Sequence, residues 1–306
     1  MKTIAQSLSA LSLGKTQRHR NLAMFPLLSL EAVTPSYRML DEALADGRAS
    51  VTEVTEGGSV PELAFDNQGG EPVLLVDGEE LKGARQNRIL NITILVGAGQ
   101  KLVIPVSCVE RGRWSYTKRD FDASDRVLFA KARAAKHVAV NLSMSCEGVA
   151  RSDQGRIWAE IDERFSSARE KSATVAMADL YASEADKLAE YERAFAWQPG
   201  QAGAVFAIDG VPVAVELFDA PETFRKLLRK LVGSFAMDAV AVQRPRSRAP
   251  SLVGVRRFLA RVQAAAVEQF RAAGEGEDLR LAGEGVAGGA LQAQGRVVHL
   301  SAFAVQ

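Results

Sequence analysis

Residues 76–114 read VDGEELKGARQNRILNITILVGAGQKLVIPVSCVERGRW, and the fold class turns on how this stretch is parsed. Pro72-Val73-Leu74-Leu75-Val76 is an apolar run closed by Asp77-Gly78. Residues 89–96 and 102–106 are two more, rich in β-branched side chains and separated by Gly97-Ala98-Gly99. Short apolar runs punctuated by glycine turns are strand signals, so three strands of an antiparallel sheet are expected here. Between the first two lies the polar segment 77–88, read as a loop with glycines towards both ends. Loops held by a rigid scaffold are where binding groups are commonly placed, and glycine there permits positive φ or close approach to a ligand.

The side chains of this stretch suit an anionic, planar ligand. Lys82, Arg85, Arg88 and Arg113 supply positive charge, the arginines with paired donors and the lysine as a point charge. Gln86 offers hydrogen bonds, and Trp114 a face on which a base or sugar can stack. Glu79, Glu80 and Glu110 are the candidate catalytic groups, able to act as acid or base or to help hold a divalent cation such as Mg2+. The competing reading is a solvated hairpin tip, whose surface ion pairs are worth about 0–1 kcal/mol. Cys108 has Arg113 five positions on but no glycine-rich cradle between them, so a buried cysteine at a strand end is expected rather than a phosphatase nucleophile.

The pattern G-E-x-L-x-G-x-x-Q-N-R at 78–88, followed by IPVSCVERGRW at 104–114, resembles the ARG and rhodanese-phosphatase-superfamily-associated protein domain, a mainly prokaryotic family. The resemblance runs from about residue 21 to the C-terminus. It takes in Gln154-Gly155-Arg156-Ile157-Trp158, residues 210–219 and Val298-His299-Leu300. It implies a setting in nucleotide or ADP-ribose metabolism, in stress or conflict systems, without fixing an activity. On it rest Gln154 as a ligand-binding candidate and Trp158, Glu216, Asp219 and His299 as second-rank candidates beside Cys108. Trp158 also reads as core, and Asp219 as a helix cap, because Asp219-Ala220-Pro221-Glu222 has the form of a helix start.

Outward from the centre, 306 residues at 47% hydrophobic are enough for a full core or two. Lys+Arg 38 against Asp+Glu 37 leaves a net charge of +1, which argues against bulk nucleic-acid binding while allowing a local basic pocket. Cys108 and Cys146 form no CxxC pair, so a reducing cytoplasm is the default expectation. No run approaches the roughly 18 apolar residues of a membrane span, and HxH and HExxH spacings are missing, so neither a membrane nor a transition-metal site is expected. GxSxG, Walker-type and strand-linked GxGxxG motifs are missing as well.

The expected fold is α+β. Residues 1–20 read as a peripheral helix. Residues 21–150 form a β-rich body, a sandwich or barrel-like sheet, and 151–306 form a helix-rich half with short antiparallel strands packed against it, one continuous domain being the alternative. Strands are expected at 21–30, with Pro26 at an edge or bulge, and at 49–54, 63–65, 138–143, 204–208, 211–217, 279–282, 289–292 and 297–303. Helices are expected at 36–45, from a Ser152 cap onward, at 175–196, from Asp219 to about 242, and at 252–273. Residues 118–134 read as a loop entering a short helix, and 244–250 as a basic, proline-punctuated linker. The 78–88 loop, the 108–114 segment and Gln154 should meet in one cleft, with Glu79, Arg88 and Glu110 on a shared face. The alternative function is a noncatalytic module that binds a partner or a second copy of the chain.

Overall fold

The strand Lys101–Cys108 shows how the β-rich part is assembled. Its first five residues pair with Glu62–Asn67 and its last three with Arg88–Leu90, both antiparallel, so one long strand joins two hairpins. The resulting six-stranded sheet has the order Phe121–Val127, Glu79–Gly83, Arg88–Leu90, Lys101–Cys108, Glu62–Asn67, Ala49–Glu53. Its two edges meet at an isolated bridge between Thr52 and Asp120, which makes the sheet barrel-like. Leu63, Phe65, Leu81, Leu90, Ile104, Val106 and Phe121 are all buried in its core.

The structure is a computed structural model and describes residues 3–31, 33–168, 170–242 and 251–305. Within them the chain is an α+β protein of three sheets. A nine-stranded antiparallel sheet places Leu22–Leu28 beside Gln201–Ile208, so the start of the chain is hydrogen-bonded to its second half. Gln201–Ile208 and Val211–Phe218 form the hairpin signalled by Asp209-Gly210, both turn residues having positive φ. The sheet continues through Arg296–Ala304, Val286–Ala293, Glu277–Gly283 and Ala266–Arg271. Pro26 lies between the stretches of its strand that pair with Gln17–His19 and with Ser12–Leu13, where its missing N–H costs no ladder bond. The helix Pro221–Ala241 packs across this sheet and onto Phe121–Val127, burying Phe224, Leu231 and Phe235.

Several expectations are corrected. The segment 77–88 is a buried hairpin arm containing the strand Glu79–Gly83, not a surface loop. The run 89–96 breaks at Asn91-Ile92-Thr93 into Arg88–Leu90 and Ile94–Val96, which belong to different sheets; the latter pairs with Val73–Leu75. Residues 121–127 are a strand whose alternation is hidden by a bulge against Glu79–Gly83. Residues 138–143 lie inside the helix Ala130–Glu147. That helix buries Arg133, Lys136 and His137 while exposing Val138 and Leu142, so its hydrophobic pattern points the wrong way. Asp153, not Ser152, caps the helix Gln154–Ala168, accepting the Arg156 N–H at 3.0 Å.

Residues 175–196 form two helices, Met177–Ser183 and Ala185–Ala194, interrupted at Glu184. The helix Leu252–Ala264 ends early because 266–271 completes an antiparallel ladder with Glu277–Gly283. Among the described residues of 1–20, Ile4–Ser9 is the helical part, and Ser12–Leu13 and Gln17–His19 are strands. The linker 244–250 lies outside the described residues. No helix among the described residues is long and apolar enough to cross a membrane.

Candidate functional site

Arg88 is the first residue of its strand and stands opposite Leu81 on one side and Cys108 on the other. Facing residues of an antiparallel pair share a sheet face, and neighbours along a strand alternate. Arg88 therefore lies on the opposite face from Glu80, which is paired with Ile89. Its guanidinium is fully buried. Nε donates to the Val60 carbonyl at 3.2 Å, and Nη1 donates to Gln86 Oε1 at 3.1 Å and to the Asn87 carbonyl at 3.4 Å. Nη2 has no hydrogen-bond partner, and no carboxylate among the described residues forms an ion pair with it. Burial lowers its pKa from the usual value.

The turn before Arg88 brings up the rest of the cluster. Ala84 is held at φ 37°, in the left-handed region. Its carbonyl accepts from Arg113 Nη1 at 2.7 Å. Arg113 also clasps Glu110 with two bonds, Nε to Oε1 at 2.9 Å and Nη2 to Oε2 at 2.6 Å, fastening the 110–117 segment onto the turn. Arg85 donates to the Glu56 carbonyl at 2.7 Å. Its guanidinium lies 5.5 Å from the Trp114 ring centre and 4.4 Å from that of Tyr116, while Arg88 is 5.7 Å from Trp114. Trp114 and Tyr116 are 44% and 47% exposed, so both keep ring surface free for a further stacking partner.

A cavity of about 730 Å3 opens beside these aromatics, lined by Thr52, Glu53, Thr55, Glu56, Tyr116, Arg119 and Asp120. It sits at the bridge that closes the barrel, a common place for a ligand site. The sequence reading missed Tyr116 and the 52–56 contribution; the W-x-Y spacing next to Lys118-Arg119 was the available signal, whereas the 52–56 turn carries none.

Of the candidates, Arg85, Gln86, Arg88, Cys108, Glu110, Arg113, Trp114 and Gln154 come together. Gln154 bonds both backbone groups of Cys108, accepting its N–H at 2.7 Å and donating to its carbonyl at 2.8 Å. Burial pushes the Cys108 thiol up despite the nearby Arg88, and Trp158 lies beside it, half-buried. Burial acts to raise the Glu110 pKa, but Arg113 and the Asn87 N–H outweigh it and hold the carboxyl below its usual value.

Glu79 and Glu80 do not join the cluster: Glu80 lies on the opposite face of the strand, and Glu79, although it alternates onto the face of Arg88, is engaged elsewhere, which corrects the expectation that Glu79 stands with Arg88 and Glu110. Glu79 accepts the Val76 N–H at 3.0 Å and pairs with Lys230 at 2.9 Å, tying the helix Pro221–Ala241 to the hairpin. Glu80 accepts from Ser124 at 2.7 Å and has Lys82 at 3.8 Å, so Lys82 too lies on the far face. Burial raises Glu80 to about 7, and its Oε1 has no partner.

A second polar cluster lies in the interior where the sheets and the helix Ala130–Glu147 meet. Asp77 pairs with Lys136, with His137 Nε2 at 2.9 Å and with Arg133 at 3.3 Å. Arg133 reaches on to Glu216 at 2.6 Å. Glu216 meets His299 Nε2 at 3.2 Å, and His299 Nδ1 meets Thr93 at 2.7 Å. Burial would raise the Asp77 and Glu216 carboxyls, but the cations around them hold both below the usual range. Burial lowers Lys136 to about 8 and His137 to about 4. Glu216 and His299 therefore belong together, with partners that the sequence reading had placed in a loop and a strand. Asp219 stands apart: the cap of its helix is Ala220, without a side-chain bond, and Asp219 accepts from Tyr37 at 2.6 Å.

Among the described residues no group of three His, Cys, Asp or Glu side chains is arranged to hold a metal ion. Fold and cluster together define an α+β protein whose barrel-like sheet carries arginines and exposed aromatics at its mouth. The chain belongs to the family of the ARG and Rhodanese-Phosphatase-superfamily-associated Protein domain, whose family model matches residues 10–303. Nothing among curated proteins and nothing among solved structures matches it.

Proposed function

We propose that the barrel mouth binds a nucleotide-like anion of the ADP-ribose or NAD-related class. In this reading Arg88 and Arg85 meet phosphate, and Trp114 and Tyr116 lie against the base or ribose. The observation that carries it is Arg88, a buried guanidinium with an unpartnered amino group that no carboxylate among the described residues pairs with, Glu53 and Glu110 acting on it only from a distance. Removing a charge from water costs several kcal/mol unless a counter-charge is present, and a phosphate would supply one. Arg113 and Glu110 serve by clamping the aromatic segment in place. The role is recognition, because Glu110 is committed to Arg113 and Asn87 and the Glu80 carboxyl faces the other side of the sheet.

The test is calorimetric titration of ADP-ribose and AMP, with and without Mg2+, into the purified chain and into Arg88→Met and Trp114→Ala. Saturable binding weakened tenfold or more by each substitution is expected. Absence of heat with either nucleotide in either condition, or undiminished affinity in Arg88→Met, would overturn the reading. Release of AMP or ribose phosphate from ADP-ribose would overturn the restriction to recognition.

A further inference from the structure

On the nine-stranded sheet, away from the barrel mouth, a pocket of about 300 Å3 is lined by Asp219 and Arg296, with the exposed Glu31 and with Ser7, Ser29, Gln294 and Phe218 among its walls. Strand geometry brings the two charges to one side. The Asp219 N–H donates to the Val298 carbonyl at 3.0 Å, and Arg296 precedes Val298 by two residues on the same strand. Two residues of strand span about 7 Å and return to the same face. The Gln294-Gly295 turn, with φ of 51° and 79°, delivers Arg296 to the pocket wall, and Ser36 donates to Gln294 at 2.5 Å to hold it.

The two charges are unusual in what they leave undone. Asp219 and Arg296 form no ion pair with each other or with any other described residue. Asp219 is instead oriented by a neutral donor: Tyr37 Oη bonds it at 2.6 Å and is itself within 2.8 Å of Thr223 Oγ1. Burial keeps the Asp219 carboxyl above its usual value even with that hydrogen bond and the charge of Arg296 acting against it, so its charge is under-compensated. A half-buried carboxylate fixed by neutral partners and a guanidinium without an acceptor among the described residues, both lining one small pocket, are complementary to a ligand carrying both charges.

We infer that this pocket binds a compact zwitterion of amino-acid size, its ammonium on Asp219 and its carboxylate on Arg296. An ammonium ion gains a charge-assisted hydrogen bond from the carboxylate, and a carboxylate gains a two-pronged bond from the guanidinium. The pocket volume lies at the small end of ligand sites, which suits a ligand of amino-acid size. The site is separate from the barrel mouth and does not depend on the reading proposed for it.

The test compares glycine and L-alanine with methylammonium and acetate, the two halves of the zwitterion, by titration against the full chain followed by NMR. The amino acids are expected to bind at least tenfold more tightly than either half. Arg296→Gln, which removes a side chain with no hydrogen-bond or ion-pair partner among the described residues, should reduce that affinity to the level of the amine alone. Asp219→Asn should reduce it to the level of acetate, with circular dichroism confirming the fold. The inference is overturned if the wild-type chain binds neither amino acid, if either half binds as tightly, or if Arg296→Gln binds like wild type.

Discussion

Arg133 and Arg88 are both fully buried, yet their surroundings differ. Arg133 meets Glu216 and Asp77, with Ser301 accepting a further bond at 3.1 Å. Arg88 donates to carbonyl oxygens and an amide, and no carboxylate among the described residues pairs with it, Glu53 and Glu110 acting only from a distance. A buried cation whose counter-charges are supplied by the chain contributes to holding the fold, because removing one partner strands the other in low dielectric. A buried cation left short of counter-charge works against the fold and is free to favour a ligand. Charge balance, more than burial or residue type, separates a fastening of the fold from a candidate site. Gly78 fits the same account: a Cβ there would approach Arg133 Nε to 2.9 Å, so this glycine makes room for the interior cluster rather than for a ligand.

The contrast can be broken most directly at the interior cluster. Arg133→Ala leaves Asp77 and Glu216 short of a cation and is expected to lower unfolding free energy by about 3–5 kcal/mol in urea denaturation. A loss under about 1 kcal/mol would show that the network is not what joins the sheets.

Next in size is Glu80. Its folded pKa of about 7 lies above the value of 4.5 for a free side chain, so its contribution is fully present below pH 4.5 and lost as the pH rises through 7. Glu80→Gln keeps a hydrogen-bonding group for Ser124 and removes the ionisation. It should stabilise the protein at pH 8 by on the order of 2–3 kcal/mol relative to wild type, an advantage that fades towards pH 5. A pH-independent difference in thermal midpoint would contradict this assignment.

Arg88→Met sharpens the comparison from the other side. Replacing an uncompensated cation by an apolar side chain of similar length should change stability by about 1 kcal/mol or less, in either direction. A destabilisation as large as that of Arg133→Ala would place both arginines in the same structural role. The smallest effect is expected at the exposed Arg151–Glu147 pair, where Arg151→Ala should cost under about 0.5 kcal/mol and serves as the baseline for the others.

The sequence exposed the hairpin at Asp209-Gly210, the helix after Asp219 and the β-rich character of the first part, because turn chemistry and apolar runs are local signals. It misjudged the helix Ala130–Glu147, since the buried face there is made of Arg133, Lys136 and His137 and no hydropathy pattern marks a charge that will find its partner across the fold. The cluster was legible in part: Arg88, Arg113, Trp114 and Tyr116 stand in one stretch of chain, whereas the 52–56 turn joins it only through the bridge between Thr52 and Asp120.

By itself, then, the sequence determined the α+β class, the family and the residue types gathered at the barrel mouth, all of which follow from neighbours along the chain. Only the tertiary structure decided that Glu80 faces away from the site, that Lys230 takes up Glu79, and that Asp77, Arg133, Glu216 and His299 share one buried network. Strand register determines which face a side chain takes, and register is fixed by pairings between residues far apart in the chain.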